Sequence, residues 1–329
     1  MVVDNKLNDY DPFIDFLKAY AIICVLLAHS LSDEVRHIIL FPLWGMIAIP
    51  LFFLIQSYHV FKKQKISINL RKFTNKYLAP FIIFQFLIIT LLITVKGVTI
   101  DIPFVKEYIK GGGLGPGSYF IWIYFQFYLL LPIIHNSIIN LSKKQLLLIF
   151  LSLSVVCDVI CSITDIPEWL YRLLPIRFFF LIYLAIIWVR DGVSITTKKM
   201  IASVISIAAT LLFMDRPQGL EPLFPGTDLT TYRWICYFYI AYLYMWAMKK
   251  IYKWISKREW ILSFVSKIGK SSYEIYLVQM LVFFYIPTIY PKLFGTQERD
   301  SCLVLLIGLV PSLFGGIILK KLLNRLKNA

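Results

Sequence analysis

The sequence predicts an all-α, polytopic membrane protein of about ten transmembrane helices with both termini on the cytoplasmic side. Three observations carry this reading. Of the 329 residues, 59% are hydrophobic and 16% aromatic, and the mean hydropathy is +0.72, well above the apolar share of about 45–50% typical of soluble domains. Ten apolar runs are each long enough to cross about 30 Å of hydrocarbon. Basic residues gather in every second loop, as the positive-inside rule requires.

The runs lie near 12–31, 38–61, 77–95, 118–140, 145–163, 169–189, 200–214, 232–248, 271–290 and 302–319. With the N-terminus inside, the inner loops hold Lys62, Lys63, Lys65, Arg71, Lys72 and Lys76, then Lys143 and Lys144, then Arg190, Lys198 and Lys199. The connection before the ninth run adds Lys249, Lys250, Lys253, Lys257, Arg258, Lys267 and Lys270, and the tail adds Lys320, Lys321, Arg325 and Lys327. The outer loops are acidic by comparison, with Asp33, Glu34, Asp101, Glu107, Asp165, Glu168, Asp215, Glu221, Asp228, Glu298 and Asp300. The net charge of +15 therefore reads as a topology signal, not as a nucleic-acid surface.

Asp4, Asp9 and Asp11 stand where a signal peptide carries bases, so the first helix is expected to persist in the mature protein. Residues 1–329 read as a single membrane domain. Cys24, Cys157, Cys161, Cys236 and Cys302 lie in or beside apolar runs without metal-ligand spacing, and are expected to be buried free thiols. No metal is expected. The glycine-rich stretch Gly111–Gly117 lacks the strand and helix of a nucleotide-binding loop and reads as a flexible outer turn.

The first run holds three ionisable residues, Asp15, Lys18 and His29. At about 100° per residue they fall within roughly one third of the helix circumference. Ionisable groups inside a span face a bundle interior or water and mark function by default. Asp15 and Lys18 are equally compatible with an interfacial i,i+3 pair whose lysine snorkels. His37, His59 and His135 fit structural positions. Arg172 and Arg177 flank Pro175 in the sixth run, and Arg177 lies deep enough to need a partner, Asp158 or a reaction centre. Tyr119, Trp122, Tyr124 and Tyr128 suit either a sugar site or interfacial anchoring.

These residues resemble the acyltransferase type 3 family of integral-membrane O-acyltransferases. The family's first-helix pattern is an acid, a base three residues later and a histidine after ten intervening positions, matched by Asp15, Lys18 and His29. The run from Ile49 to Tyr58 is similar to the second-helix motif, with Gln56-Ser57 in place of Ser-Gly. Arg71-Lys72 and Lys76-Tyr77-Leu78-Ala79-Pro80-Phe81 resemble the basic motif that opens the third helix, although Lys72 and Lys76 replace arginines. Residues 118–132 resemble the fourth helix, and Ile268 to Gln279 resembles a late motif that normally ends in histidine.

The resemblance implies transfer of an acyl group, foremost acetyl, from cytosolic acyl-coenzyme A to a hydroxyl of a cell-surface carbohydrate or a lipid-linked glycan precursor. It implies a multi-pass location in a cell membrane, such as the bacterial cytoplasmic membrane. His29 is the candidate general base, since neutral imidazole accepts a proton near neutral pH, and Asp15 and Lys18 accompany it. Arg71, Lys72 and Lys76 are the candidate coenzyme A phosphate contacts. Arg177, Tyr119, Trp122, Tyr273 and Gln279 are the candidate acceptor-binding residues. Membrane lipid and the glycan acceptor are the expected partners. A transporter or flippase for glycan intermediates is the alternative, because ten spans with buried charges also suit alternating access.

Overall fold

The computed structural model describes residues 11–45, 47–63, 67–164, 166–213, 234–295 and 300–328. Lys65, Asp165, Asp215, Arg216, Glu221, Asp228, Glu298 and Arg299 lie outside the described residues, as do the side chains of His37, Glu168 and Cys236. The described chain is helical, without strands. It begins with α1 (Pro12–Ser30), α2 (Asp33–Ile38), α3 (Phe41–Trp44) and α4 (Ala48–Phe61). Next, α5 (Leu70–Phe73) passes through a π turn (Thr74–Leu78) into α6 (Ala79–Lys96), followed by α7 (Ile102–Gly111), α8 (Phe120–Ile138) and α9 (Lys143–Ile163). A short α10 (Glu168–Leu173) and a 3-10 turn (Ile176–Phe178) lead into α11 (Phe180–Asp191), α12 (Thr197–Phe213), α13 (Trp234–Ile255), α14 (Glu259–Lys270), α15 (Ser272–Phe294) and α16 (Ser301–Asn328).

Among the described residues six helices are long and apolar enough to cross a membrane: Pro12–Ser30, Leu70–Lys96, Phe120–Ile138, Lys143–Cys161, Ser272–Phe294 and Cys302–Arg325. Each corresponds to one of the ten expected runs. The remaining runs take other forms. That near 38–61 is divided, because the backbone turns left-handed at Leu40 (φ 51°) and leaves the helix again at Gly45, so that only the 14-residue α4 remains as a long element. The run near 169–189 breaks at Pro175, and Leu174 before it is extended (ψ 118°), as proline imposes on its predecessor. The runs near 200–214 and 232–248 become the 17-residue α12 and the more polar α13. Two segments read as loops are helices instead, α7 and the strongly amphipathic α14.

Helix α1 starts cleanly: Asp11 accepts the Phe13 amide at 3.0 Å and Pro12 occupies the first turn, where a missing N–H costs nothing. It is the central post. Of its spanning window 61% is buried, against 22–39% for the other five candidate spans. Leu17, Ala21 and Cys24 pack into a core shared with α4, α8 and α11, while Ala19, Ile22 and Leu26 pack into a second core with α15. Large side chains on the outside, such as Ile83, Phe86 and Ile133, are exposed to what would be lipid, which is the solvent such residues suit.

Where apolar side chains gain nothing by leaving lipid, helices associate through close contact and polar pairing. That rule is visible where α14 meets α1. A Cβ added at Gly269 would stand 1.9 Å from the Asp15 carbonyl oxygen, so the two backbones touch there. Gly316 allows the same approach of α16 to Ile275 on α15.

Gly269→Ala should therefore cost at least the roughly 1–3 kcal/mol of an overpacked core, because the obstacle is backbone and cannot rotate away. Gly111→Ala is the control, since a Cβ there meets nothing within 4 Å. Thermal unfolding of both variants in detergent should show a large drop in Tm for the first alone.

Candidate active site

A cavity of about 1320 Å³ runs through the bundle beside α1. Its walls carry nine lysines and arginines but only one carboxylate, that of Glu274. One end is built of lysines. Lys18 lies 3.8 Å from the buried Asp15, whose Oδ2 is also 3.5 Å from the Ser266 hydroxyl of α14. Lys320 of α16 donates to the Lys270 carbonyl and lies 3.8 Å from Glu274. Lys76 is close enough to act electrostatically on both Lys18 and Lys320. Four helical elements thus bring like charges together against two carboxylates, which is a surface suited to a polyanion.

The π turn explains how the third-helix bases reach this end. Pro80 has no N–H to give the Lys76 carbonyl, and the helix widens in the turn just before it. Asn69 caps the entry, its Oδ1 accepting the Lys72 amide at 2.8 Å, and Tyr128 Oη is bound to both the amide and the carbonyl of Asn69. Lys72 and Lys76, four residues apart, both line the cavity, while Arg71 is not among its lining residues.

Beyond the lysines lies a collar of tyrosines. Tyr77 stands edge-on to Tyr124 and Tyr273 at 5.3 and 5.1 Å, and the Tyr273 hydroxyl donates to the Tyr77 carbonyl. Past the collar is His29, whose ring remains open to the cavity and packs 5.8 Å from Phe283. Among the described residues no side chain or backbone group hydrogen-bonds the imidazole, so neither ring nitrogen is occupied by the protein. His29 also borders a second cavity of about 410 Å³ with Gly115, Pro116 and Phe283.

The glycine stretch is not a flexible outer turn. It folds into the helix bundle and is held there by side chains from α6, α8 and α15. Gln85 clasps Leu114 twice, accepting its amide at 2.6 Å and donating to its carbonyl at 3.0 Å. Trp122 Nε1 donates to the Gly112 carbonyl at 2.6 Å, Tyr276 Oη to Gly117 at 3.0 Å, and Gln279 Nε2 to Pro116 at 3.0 Å. The physical reason is that irregular backbone at membrane depth survives only when protein satisfies its polar groups or it lines a cavity. Pro116 and Gly117 line the cavity. Glycine is required at Gly115 (φ +91°), where a Cβ would press within 2.9 Å of the Met280 carbonyl.

The deep half has an arginine wall. Tyr58 stacks on Trp188 at 3.9 Å, beside Phe13 at the start of α1. Phe53, five residues or about 7.5 Å nearer the start of α4, meets Phe178 at 4.7 Å. Arg177 accordingly lies deeper than the start of α1, on the His29 side. Its guanidinium sits over Tyr171 and Phe178 at 4.8 and 4.4 Å, and its Nε is buried without a hydrogen bond. Asp158, its expected partner, instead accepts the Tyr171 hydroxyl at 2.7 Å. Arg36, paired with Asp33, is close enough to act electrostatically on His29.

Of the residues singled out in the sequence, Lys18, His29, Lys72, Lys76, Tyr119, Arg177, Tyr273 and Gln279 line one cavity, with Asp15 directly behind Lys18. Arg71 and Trp122 lie outside the lining. Lys320, Lys270, Glu274 and Gln85 were not singled out. Gln85, a lone amide in an apolar helix, was the readable signal. His135 stacks on Phe61 and bonds Asn136, consistent with a structural position, whereas His59 lines the cavity. Cys24 and Cys161 are buried, but Cys157 is half-buried and Cys302 exposed, because the latter two sit on outer faces of α9 and α16.

Gln85→Leu keeps the shape but leaves the Leu114 amide and carbonyl unpaired, at about 1–3 kcal/mol for each buried group. Its Tm should fall, and hydrogen exchange should quicken specifically over residues 112–118.

A family model described as an acyltransferase domain matches residues 11–321, nearly the whole chain. No curated protein and no solved structure matches. The late motif, the basic motif and the first-helix triplet all fall within the matched residues, and the chain belongs to the acyltransferase type 3 family of membrane proteins.

Proposed function

We propose that this protein transfers an acyl group, foremost acetyl, from cytosolic acyl-coenzyme A to a hydroxyl of a cell-surface carbohydrate or lipid-linked glycan precursor. The observation that carries the reading is the continuity of one cavity from a lysine cluster to a histidine whose ring nitrogens have no hydrogen-bond partner among the described residues. Membership of the family supplies acyl transfer in the membrane. In the orientation we propose, both termini and the lysine end face the cytoplasm, the ten crossings being completed by the shorter and broken helices.

Lys18 and His29 are eleven positions apart, about 16 Å along the helix. A donor whose phosphates rest on Lys18, Lys72, Lys76 and Lys320 would extend its pantetheine arm past the tyrosine collar and present the thioester near His29. His29 removes the proton from the acceptor hydroxyl as the oxygen attacks the thioester carbonyl. The tetrahedral intermediate then expels the coenzyme A thiolate, which takes the proton back from the imidazolium. Asp15 holds Lys18 in place and offsets the repulsion of the neighbouring lysines.

His29→Ala should lower kcat by about 100-fold or more, the range of general-base catalysis, with the yield of folded protein unchanged. Near wild-type turnover by this variant would remove the catalytic assignment.

Lys72→Gln combined with Lys76→Gln should raise the KM for acyl-coenzyme A about tenfold or more, since a well-formed charge-assisted contact contributes roughly 1.5–3 kcal/mol. Arg71→Gln, outside the cavity lining, should leave it nearly unchanged. Donor saturation measured per folded molecule distinguishes this from a topology signal, which would lower insertion and leave KM alone.

A further inference from the structure

The cavity sorts its cations by type. Lysines form the end where α1 begins, and the arginines, Arg36, Arg172 and Arg177, belong to the half that holds His29. A lysine is a compact, strongly hydrated charge, whereas a guanidinium is a planar fork that matches two oxygens of a carboxylate or phosphate. Arg177 is the least provided for. It makes no ion pair among the described residues, rests on two aromatic rings, and keeps a buried Nε without a hydrogen bond. The one carboxylate lining the cavity, Glu274, is engaged with Lys320 at the opposite end. A charge placed at membrane depth with its donor unmet is costly unless a ligand completes it.

Coenzyme A cannot be that ligand if it lies as proposed, because its phosphates rest on the lysines and only the thioester reaches His29. We propose that the acceptor substrate itself carries an oxyanion, a phosphate or a carboxylate near the hydroxyl that is acylated, and that Arg177 binds it with support from Arg172. The inference rests on the proposed direction of the donor.

The test uses the full-length protein in detergent, saturated with coenzyme A, and reads binding of three probes by thermal unfolding: methyl glucoside 6-phosphate, methyl glucuronide and uncharged methyl glucoside. At least one anionic probe should bind about tenfold or more tightly than the neutral one, and which of the two does so identifies phosphate or carboxylate as the group recognised. Arg177→Gln should abolish the preference and Arg177→Lys should retain part of it, while Lys76→Gln should leave it intact. Equal response to all three probes, or no response to any, overturns the proposal, as does a preference that survives Arg177→Gln. Loss of turnover in Arg177→Gln with probe binding unchanged also overturns it and assigns the arginine to the transition state. If Arg177→Gln does not fold, the same comparison on Arg172→Gln decides. A wild-type protein whose unfolding coenzyme A does not shift would instead refute the donor reading.

Discussion

Polar groups at membrane depth must be satisfied by protein or by a ligand, and in this chain that requirement organises both the bundle and its cavity. The loop around Gly111–Gly117 could not stand irregular in hydrocarbon, so Gln85, Trp122, Tyr276 and Gln279 each spend a side chain on its backbone. Those same bonds fix α6, α8 and α15 around the cavity. Because Pro116 and Gly117 form part of its wall, the cavity keeps its shape only while the loop is held.

The second requirement falls on α1, which carries an acid, a base and a histidine through the middle of the molecule. Asp15 is covered by α14, whose Gly269 brings backbone against backbone, and Ser266 adds a hydroxyl near the carboxylate. This is why the connection before α15 has to be a helix. Without that cover the carboxylate of Asp15, which lies 3.8 Å from Lys18, would lose the protein that buries it. The short α14 is therefore part of the site, and its last turn reaches the cavity at Gly269 and Lys270.

Much of this was legible in the sequence for a physical reason: charged residues in apolar runs are so costly that their spacing alone places them on a shared face. Asp15, Lys18 and His29 were readable in that way, whereas Lys72 and Lys76, which precede the third run, were singled out by their resemblance to the family's basic motif. Less legible were features that depend on what another segment does. The glycine stretch reads as a flexible turn because the side chains that fix it lie up to 163 positions away, at Gln279. Lys320 reads as a topology signal because nothing local distinguishes a lysine that ends a span from one that also faces Glu274. The division of the 38–61 run hid for the opposite reason, since apolar composition continues unbroken across a left-handed turn at Leu40. Arg71 and Trp122 show the limit of one-dimensional spacing: one residue of rotation, or one hydrogen bond to Gly112, is enough to take a side chain out of the lining.

The residue at position 279 constrains the proposed chemistry further. Its relatives' late motif normally ends in histidine, which can donate one hydrogen bond and accept a proton. Gln279 keeps the first ability, donating to the Pro116 carbonyl, and its Oε1 is buried without a partner among the described residues. It cannot titrate near neutral pH, so position 279 offers no second base beside His29. In the proposed reaction, with His29 bordering both cavities, the proton taken from the acceptor hydroxyl would return to the leaving thiolate through the same ring. That would call for a base unrestrained by a fixed hydrogen bond, able to turn between the incoming oxygen and the departing sulfur, and His29, packed on Phe283 and without a hydrogen bond among the described residues, fits this condition.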